Sequence, residues 1–299
     1  MLKGCKAIFF DFMGTCLDWQ SSIVAALPER IPCPERCQLA IEWREAFFQD
    51  IHDRFEKRLP PEDIDTTHAR LLNSLLETKT RGDKYDHVLS NDEKERAVKA
   101  WHKMSAWPDV SAALAALRQR FEVFVLANGT TRLQLDLARS SGLQFNMMFS
   151  SQLLGETKPD PETYKKVMRL VGVSPEQSLM VAAHSYDLKA AKKVGMRTVY
   201  VRRWTEDTKE DMRKVGEDVD LFIGRIDVYG TGEDVDGSFE ELLESVEEPP
   251  YRSCPEHLLL NMTHKAPCTR RDAYMRLFPA ADLENICSGT EEQNTKERC

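Results

Sequence analysis

Residues 8–19 read IFFDFMGTCLDW. A run of apolar residues carries one acid, Asp11, and then breaks at Gly14 and Thr15. Short, rich in Ile and Phe and bounded by Gly, the stretch predicts a strand buried on both faces. Its carboxyl end would deliver the carboxylate of Asp11 into a pocket. Two places on stands Met13 rather than a second acid.

Downstream of this strand the pattern turns helical until about residue 105. CQLAIEWREAFFQDIHDRFEKRL places Leu39, Trp43, Phe47, Phe48, Ile51 and Phe55 along one face, DIDTTHARLLNSLLETK follows, and SNDEKERAVKAWHKM adds a helix with Ser90 or Asn91 as its cap. Strand and helix then alternate. The strands are FEVFVLANG, FNMMFSS, SLMVAAHS and RTVYVRR, and the helices DVSAALAALRQR, TRLQLDLARSSG, PETYKKVMRLVG and DLKAAKKVG. This alternation predicts an α/β fold, a doubly wound, Rossmann-like parallel sheet with helices on both faces and ligands at the carboxyl ends of the strands. Residues 1–17 and 101–235 would form the core, and residues 18–100 an inserted helical cap. From about residue 233 the pattern fades: one short helix remains, Pro249-Pro250 marks a boundary, and residues 236–299 read as a C-terminal extension, partly disordered. Within it residues 270–288 form an amphipathic piece, and the last ten residues read as disorder.

The chain has 299 residues, 41% hydrophobic and 30% charged, enough to bury a full core. No stretch approaches the ~18 apolar residues of a membrane span, and no signal peptide is expected, so a cytoplasmic location without membrane association follows. The net charge of −8 is interspersed and offers no basic footprint, which excludes nucleic acid as the expected partner. The eight cysteines form no CxxC pairs; free thiols are expected rather than zinc.

Four polar groups fall where the predicted strands end: Asp11, Asn128 after VFVLA, Lys158 in GETKPDPETY, and Asp187 after SLMVAAHSY. Together they make a hydrolytic site for a small molecule, with Asp11 as nucleophile, Lys158 neutralising crowded negative charge, and Asp187 as base or metal ligand. Each has a plainer reading alone. Asp11 can be a cap or turn former, Asn128 part of an Asn-Gly turn, Lys158 a solvated loop residue, and Asp187 the cap of LKAAKKVG. Their joint order favours the site.

FFDFMGTCLDW, VLANGT, KPDPETY and VAAHSYDLKAAKKVG, in that order, resemble the four signature segments of the haloacid dehalogenase superfamily over about residues 5–235. Phosphatases of that superfamily usually carry D-x-D-G-T, whose second acid protonates the leaving oxygen. The L-2-haloacid dehalogenase branch has a non-acidic residue there, as Met13 is here. EWREAFF also resembles that branch, and Arg44 matches the arginine its members use near the leaving halide; by itself Arg44 can equally be a solvated residue. The resemblance implies attack by Asp11 on the halogen-bearing carbon of a small 2-haloacid, then hydrolysis of the aspartyl ester near Asp187. Arg44 and Asn128 would stabilise the departing halide, while Thr15 and backbone amides near Gly14 would hold the substrate carboxylate. Tyr186 and His184 would also face the substrate. No cofactor and no metal would be needed. Related cap-bearing enzymes often dimerise, which leaves a homodimer open.

Departures from the branch are Ala127 in place of Ser or Thr, Ala182 and Ala183 in place of polar residues, and His184 in place of Asn. LANGT with VAAHxxDLKAA looks similar to fungal hydrolases of the dehalogenase-like group. The alternative is a phosphohydrolase acting on a phosphate or diphosphate metabolite, for instance in a biosynthetic pathway of secondary metabolism. Asp11, the Met13 carbonyl and Asp187 would then hold Mg2+. A non-catalytic scaffold is the third reading.

Overall fold

The computed structural model describes residues 4–57, 59, 62–80, 89–224 and 236–246. One compact unit runs over Met1–Glu247, and a second covers Glu248–Cys299. The second unit lies outside the described residues, and with it the expectations for Pro249-Pro250, the amphipathic piece and the disordered end.

The strands β1 (Ala7–Phe10), β4 (Glu122–Ala127), β5 (Met147–Ser150), β6 (Ser178–Ala182), β7 (Arg197–Val201) and β8 (Leu221–Ile223) form one sheet. Its order is β5-β4-β1-β6-β7-β8, parallel throughout. β1 is central and wholly buried, as its unbroken apolar run requires. Its side chains alternate between two cores. Ile8 and Phe10 enter one, where Phe10 stacks on Phe239 with 5.4 Å between ring centroids. Ala7 and Phe9 enter the other, where Phe9 stacks on Phe124 at 5.3 Å. Each of these large side chains stabilises the sheet by roughly 1.5–3 kcal/mol. The ladder runs one residue past the strand, the Asp11 N–H donating to the Val181 carbonyl at 3.0 Å. The acid is therefore held between the carboxyl ends of β4 and β6.

Helices cover both faces: α5 (Val110–Leu117), α6 (Thr131–Ser141), α7 (Ser151–Leu154), α8 (Pro161–Val171), α9 (Ser185–Lys193), α10 (Met212–Asp218) and α11 (Phe239–Val246). Phe239 and Leu242 of α11 are buried in the same core as Phe10. Residues 239–246 thus belong to the compact unit, where the pattern suggested an extension from residue 236. The short β8 and α10 were not anticipated. Cys5, Cys16 and Cys37 are free. No helix among the described residues is long and apolar enough to cross a membrane.

Between β2 (Leu17–Asp18) and β3 (Ser105–Ala106), which pair antiparallel, the chain forms α1 (Trp19–Ala26), α2 (Cys33–Glu56), α3 (Ile64–Thr80) and α4 (Asn91–Ala100). α4 starts on a capping box in which Ser90 accepts from the Glu93 N–H and the Glu93 carboxylate accepts from that of Ser90. α2 buries Leu39, Ala40, Trp43 and Arg44 but leaves Phe48 and Ile51 exposed. Beyond Phe47 the helix carries ion pairs of Asp50 with Arg54 and Arg70 instead of core contacts, which is why the apolar row stops early. The Phe55 side chain lies outside the described residues.

Four rings from the insert stack in parallel. Phe47 lies 4.2 Å from His68, His68 4.2 Å from Trp101, and Trp101 6.0 Å from Trp19, each step tilted by only 10°. Trp43 meets His68 and Trp101 edge-on. Burial, then the nearby His102 and Arg44, push the His68 pKa down to about 3, so it stacks as a neutral ring. The stack holds Trp19 and the adjoining Arg44 side chain, 4.3 Å over the Trp19 ring, toward the end of the sheet.

Candidate active site

At the carboxyl end of β1 three buried charges meet. The Lys158 ammonium donates to Asp11 Oδ1 at 2.8 Å and to Asp187 Oδ2. The second Asp187 oxygen accepts from the Tyr164 hydroxyl at 2.6 Å. Lys158 comes from the loop before α8, and that loop is clasped by Asn128: its amide donates to the Lys158 carbonyl at 3.0 Å and accepts from the Lys158 N–H at 2.9 Å. Burial alone would raise the Asp11 pKa, but the Lys158 ammonium and the His184 imidazole outweigh it, leaving Asp11 ionised well below the ordinary carboxylate range. Asp187 moves the other way. Burial raises it, Lys158 opposes, and the Asp11 charge adds to the rise.

A second group adjoins the first. His184 Nδ1 lies 3.0 Å from Asp11 Oδ2, and its Nε2 lies 2.7 Å from Glu206 Oε2. Arg44 Nη2 donates to the same Glu206 oxygen at 2.6 Å. The other oxygen, Oε1, accepts from the Trp19 indole at 2.6 Å and from the Thr205 hydroxyl at 2.8 Å. Burial disfavours the His184 imidazolium, yet Asp11 and Glu206 together raise its pKa to about 10, so it is a cation at neutral pH. Glu206 is lowered: burial raises it, but Arg44 and His184 prevail. Its carboxylate rests on Gly14, where any Cβ would come within 2.5 Å of the Glu206 carboxyl carbon. Gly14 has φ +87°, so both its backbone and its bareness are used.

The structure brings together Asp11, Lys158, Asp187, Arg44, Thr15 and His184. The Thr15 hydroxyl donates to Asp11 Oδ2 at 2.7 Å and accepts from the Ala183 N–H at 2.9 Å. The Gly14 N–H is likewise engaged, donating to the Leu17 carbonyl. Asn128 holds the Lys158 loop with both ends of its amide, one N–H and the oxygen being engaged there. Asp187 is no cap: α9 begins at Ser185, and Asp187 is buried in its first turn. The Tyr186 ring lies 5.7 Å from that of His184. Arg44 is buried and paired, while its Nη1 has no hydrogen-bond partner. Three residues of the site were missed. Tyr164 was visible inside KPDPETY but given no role; Trp19 and Glu206 sit in segments whose pattern reads as helix start and polar loop.

The phosphohydrolase reading would need Mg2+ among these donors. Asp11 meets the Lys158 ammonium on one oxygen and the His184 imidazolium on the other, and Asp187 meets Lys158 and Tyr164. Mg2+ needs oxygen ligands in octahedral array, and here each carboxylate oxygen already faces a donor, two of them cationic. The arrangement does not fit the ion. Among the described residues no group of three or more His, Cys, Asp or Glu side chains is set to hold a metal.

A family model described as haloacid dehalogenase-like hydrolase matches residues 5–195. The chain is 26% identical over 205 residues to (S)-2-haloacid dehalogenase 1 of Pseudomonas sp. (strain CBS-3), covering 66% of this chain and 85% of that one. It is 26% identical over 197 residues to a phosphoglycolate phosphatase of Aquifex aeolicus (strain VF5), covering 64% and 83% respectively. Among solved structures, the L-2-haloacid dehalogenase PA0810 superposes with a TM-score of 0.66 at 29% identity, over 81% of this chain and 98% of that one.

Proposed function

Since the chain belongs to the haloacid dehalogenase-like hydrolase family, we propose that it removes halide hydrolytically from C2 of a small 2-haloacid through a covalent aspartyl ester, without a metal or other cofactor. One observation carries this reading: the buried nucleophile Asp11 is kept ionised by two cations, and no acid stands at position 13 to protonate a leaving oxygen. Halide needs no such acid.

The Asp11 carboxylate attacks the carbon, a C–O bond forms, the C–halogen bond breaks, and the halide leaves with the bonding pair. Arg44 Nη1 is the donor left to meet it. Water then adds to the Asp11 ester carbonyl and gives a proton to Asp187; as the bond between the Asp11 carboxyl carbon and the ester oxygen breaks, Asp187 returns that proton to the leaving oxygen, and the alcohol departs with the original Asp11 oxygen. Residues 18–100 serve as a cap over the site and residues 1–17 with 101–235 as the core that carries it. The setting is cytoplasmic and the substrate a small molecule.

A single turnover in 18O-water tests the scheme. The label should appear in the Asp11 peptide by mass spectrometry and not in the first alcohol released. Label in the alcohol alone removes the covalent step. Asp11-dependent phosphate release that requires Mg2+ would favour the phosphatase alternative instead.

A further inference from the structure

The two oxygens of Asp11 are not equivalent. Oδ1 accepts one hydrogen bond, from the Lys158 ammonium at 2.8 Å. Oδ2 accepts two, from the Thr15 hydroxyl at 2.7 Å and from His184 Nδ1 at 3.0 Å. A carboxylate oxygen has two accepting directions, so both are filled at Oδ2 and one stays open at Oδ1. Attack on carbon needs an open direction, which makes Oδ1 the nucleophilic oxygen and Oδ2 the carbonyl oxygen of the ester.

Both bonds to Oδ2 have a fixed sense. The Thr15 hydroxyl accepts from the Ala183 N–H at 2.9 Å, so its single proton points to Oδ2. His184 faces a carboxylate oxygen from each ring nitrogen, Asp11 Oδ2 from Nδ1 and Glu206 Oε2 from Nε2 at 2.7 Å, and an ionised carboxylate only accepts. Both nitrogens therefore donate.

The imidazole is held from behind by groups that make and break no bond in the reaction. Glu206, besides meeting Nε2, accepts from Arg44, Trp19 and Thr205. Its own N–H donates to the carbonyl of Arg203, a buried residue paired with Asp109 at 3.0 Å. The next residue, Asp207, accepts from the Ser185 N–H at 2.6 Å, which ties the same turn to the main chain beside His184. When the Asp11 charge is lost in the ester, the Glu206 charge stays, and with it the proton on Nδ1.

We propose that the Thr15 hydroxyl and the His184 Nδ1–H form the oxyanion hole for hydrolysis of the aspartyl ester, with His184 a catalytic residue and Glu206 the positioning residue behind it. This rests on the dehalogenase reading above and gives its second step a pair of stabilising donors. Water adds to the Asp11 carboxyl carbon and gives one proton to Asp187, while the carbonyl π pair moves onto Oδ2 between the two donors. The pair then returns, the bond from the carboxyl carbon to Oδ1 breaks, and Asp187 protonates the leaving Oδ1. The second water proton is released as Asp11 becomes a carboxylate again. Donors 2.7 and 3.0 Å from the oxygen that gains charge have the geometry such stabilisation needs, and both stand in place before the reaction starts. The hole serves the second step alone, because in the first step Oδ2 loses charge as Oδ1 attacks.

Rapid-quench measurement of chloride release from (S)-2-chloropropionate by the full chain separates the two steps. His184→Phe should release its first chloride per active site within about tenfold of the wild-type rate and then turn over about 100-fold or more slowly, with ester accumulating on the Asp11 peptide by mass spectrometry. Thr15→Val removes the other donor with little change of shape and should behave in the same way. Glu206→Gln keeps an acceptor for Nε2 without its charge and should shift the balance of the two phases in the same direction by a smaller factor. Equal slowing of both phases without accumulated ester, in whichever of these variants folds, overturns the inference and leaves the dehalogenase reading intact. A wild type that releases no chloride removes the dehalogenase reading and the inference with it.

Discussion

The buried site contains two charge triplets of opposite sense. In one, the Lys158 ammonium lies between the carboxylates of Asp11 and Asp187; in the other, the Glu206 carboxylate lies between His184 and Arg44. His184 joins them by touching both Asp11 and Glu206. The first triplet leaves Asp11 charged, since its carboxylate is held ionised while still facing the end of the sheet. The second is closed on itself, with every oxygen of its central group bonded. Burying charge is costly in both, and only mutual pairing sustains it. The difference lies in what each leaves over: a reactive carboxylate in the first, and one unpartnered Arg44 nitrogen in the second.

Breaking the first triplet at its reactive end gives the largest expected effect. Asp11→Asn should lower steady-state halide release by at least about 10^4-fold, because an amide cannot form the ester and no other group touches the reacting carbon. Retention of more than a hundredth of the wild-type rate would show that the covalent scheme is wrong.

Breaking the second triplet at its centre should appear in stability. Glu206→Ala leaves Arg44 and His184 opposed in a buried place and is expected to cost about 3–5 kcal/mol in urea unfolding. Adding Arg44→Met should recover part of that loss. A double variant no more stable than the single one would mean that the two cations do not depend on Glu206.

The link between the triplets should set a pH dependence. The folded pKa of His184, about 10, stands above its ordinary 6.5, so its contribution is full below about pH 6.5 and is lost as pH rises through about 10. Subtracting the His184→Asn curve from the wild-type stability curve should leave a decline of roughly a few kcal/mol between those limits. A flat difference would place the imidazole in its neutral form.

The first triplet was legible in the sequence and the second was not. Asp11 ends an apolar run, and strand order then places Lys158 and Asp187 near it, because a parallel sheet gathers its loops at one edge. Glu206 follows Arg202, Arg203, Trp204 and Thr205 in a polar stretch that no periodicity distinguishes from solvated loop. It is buried because Arg203 and Asp207 fix the turn that carries it, a tertiary effect without a local signature. Arg44 was singled out by resemblance, but nothing local announced its partner Glu206. The protein partners of Thr15 and Asn128 were hidden for a related reason: both are polar groups near Asp11, and only distances reveal their bonds to Asp11 and Ala183 and to the Lys158 main chain.

Asn128 provides the smallest and most discriminating test of the comparison. It carries no charge and touches neither triplet's charged atoms, yet its amide makes a two-point clasp on the main chain of Lys158, the central cation of the first triplet. Asn128→Ala should therefore cost only about 1 kcal/mol in stability, the net worth of a pair of partly exposed hydrogen bonds. Its effect on the reaction should be larger than that figure suggests, since a cation displaced by a fraction of an ångström no longer pairs both carboxylates equally. The expected signature is a kcat reduced about tenfold with KM little changed, because the clasp orders the reacting carboxylate without meeting the substrate. If Asn128 instead served the departing halide or the substrate directly, the variant would raise KM or make the loss depend on which halogen leaves, and comparing chloro and bromo substrates separates the two.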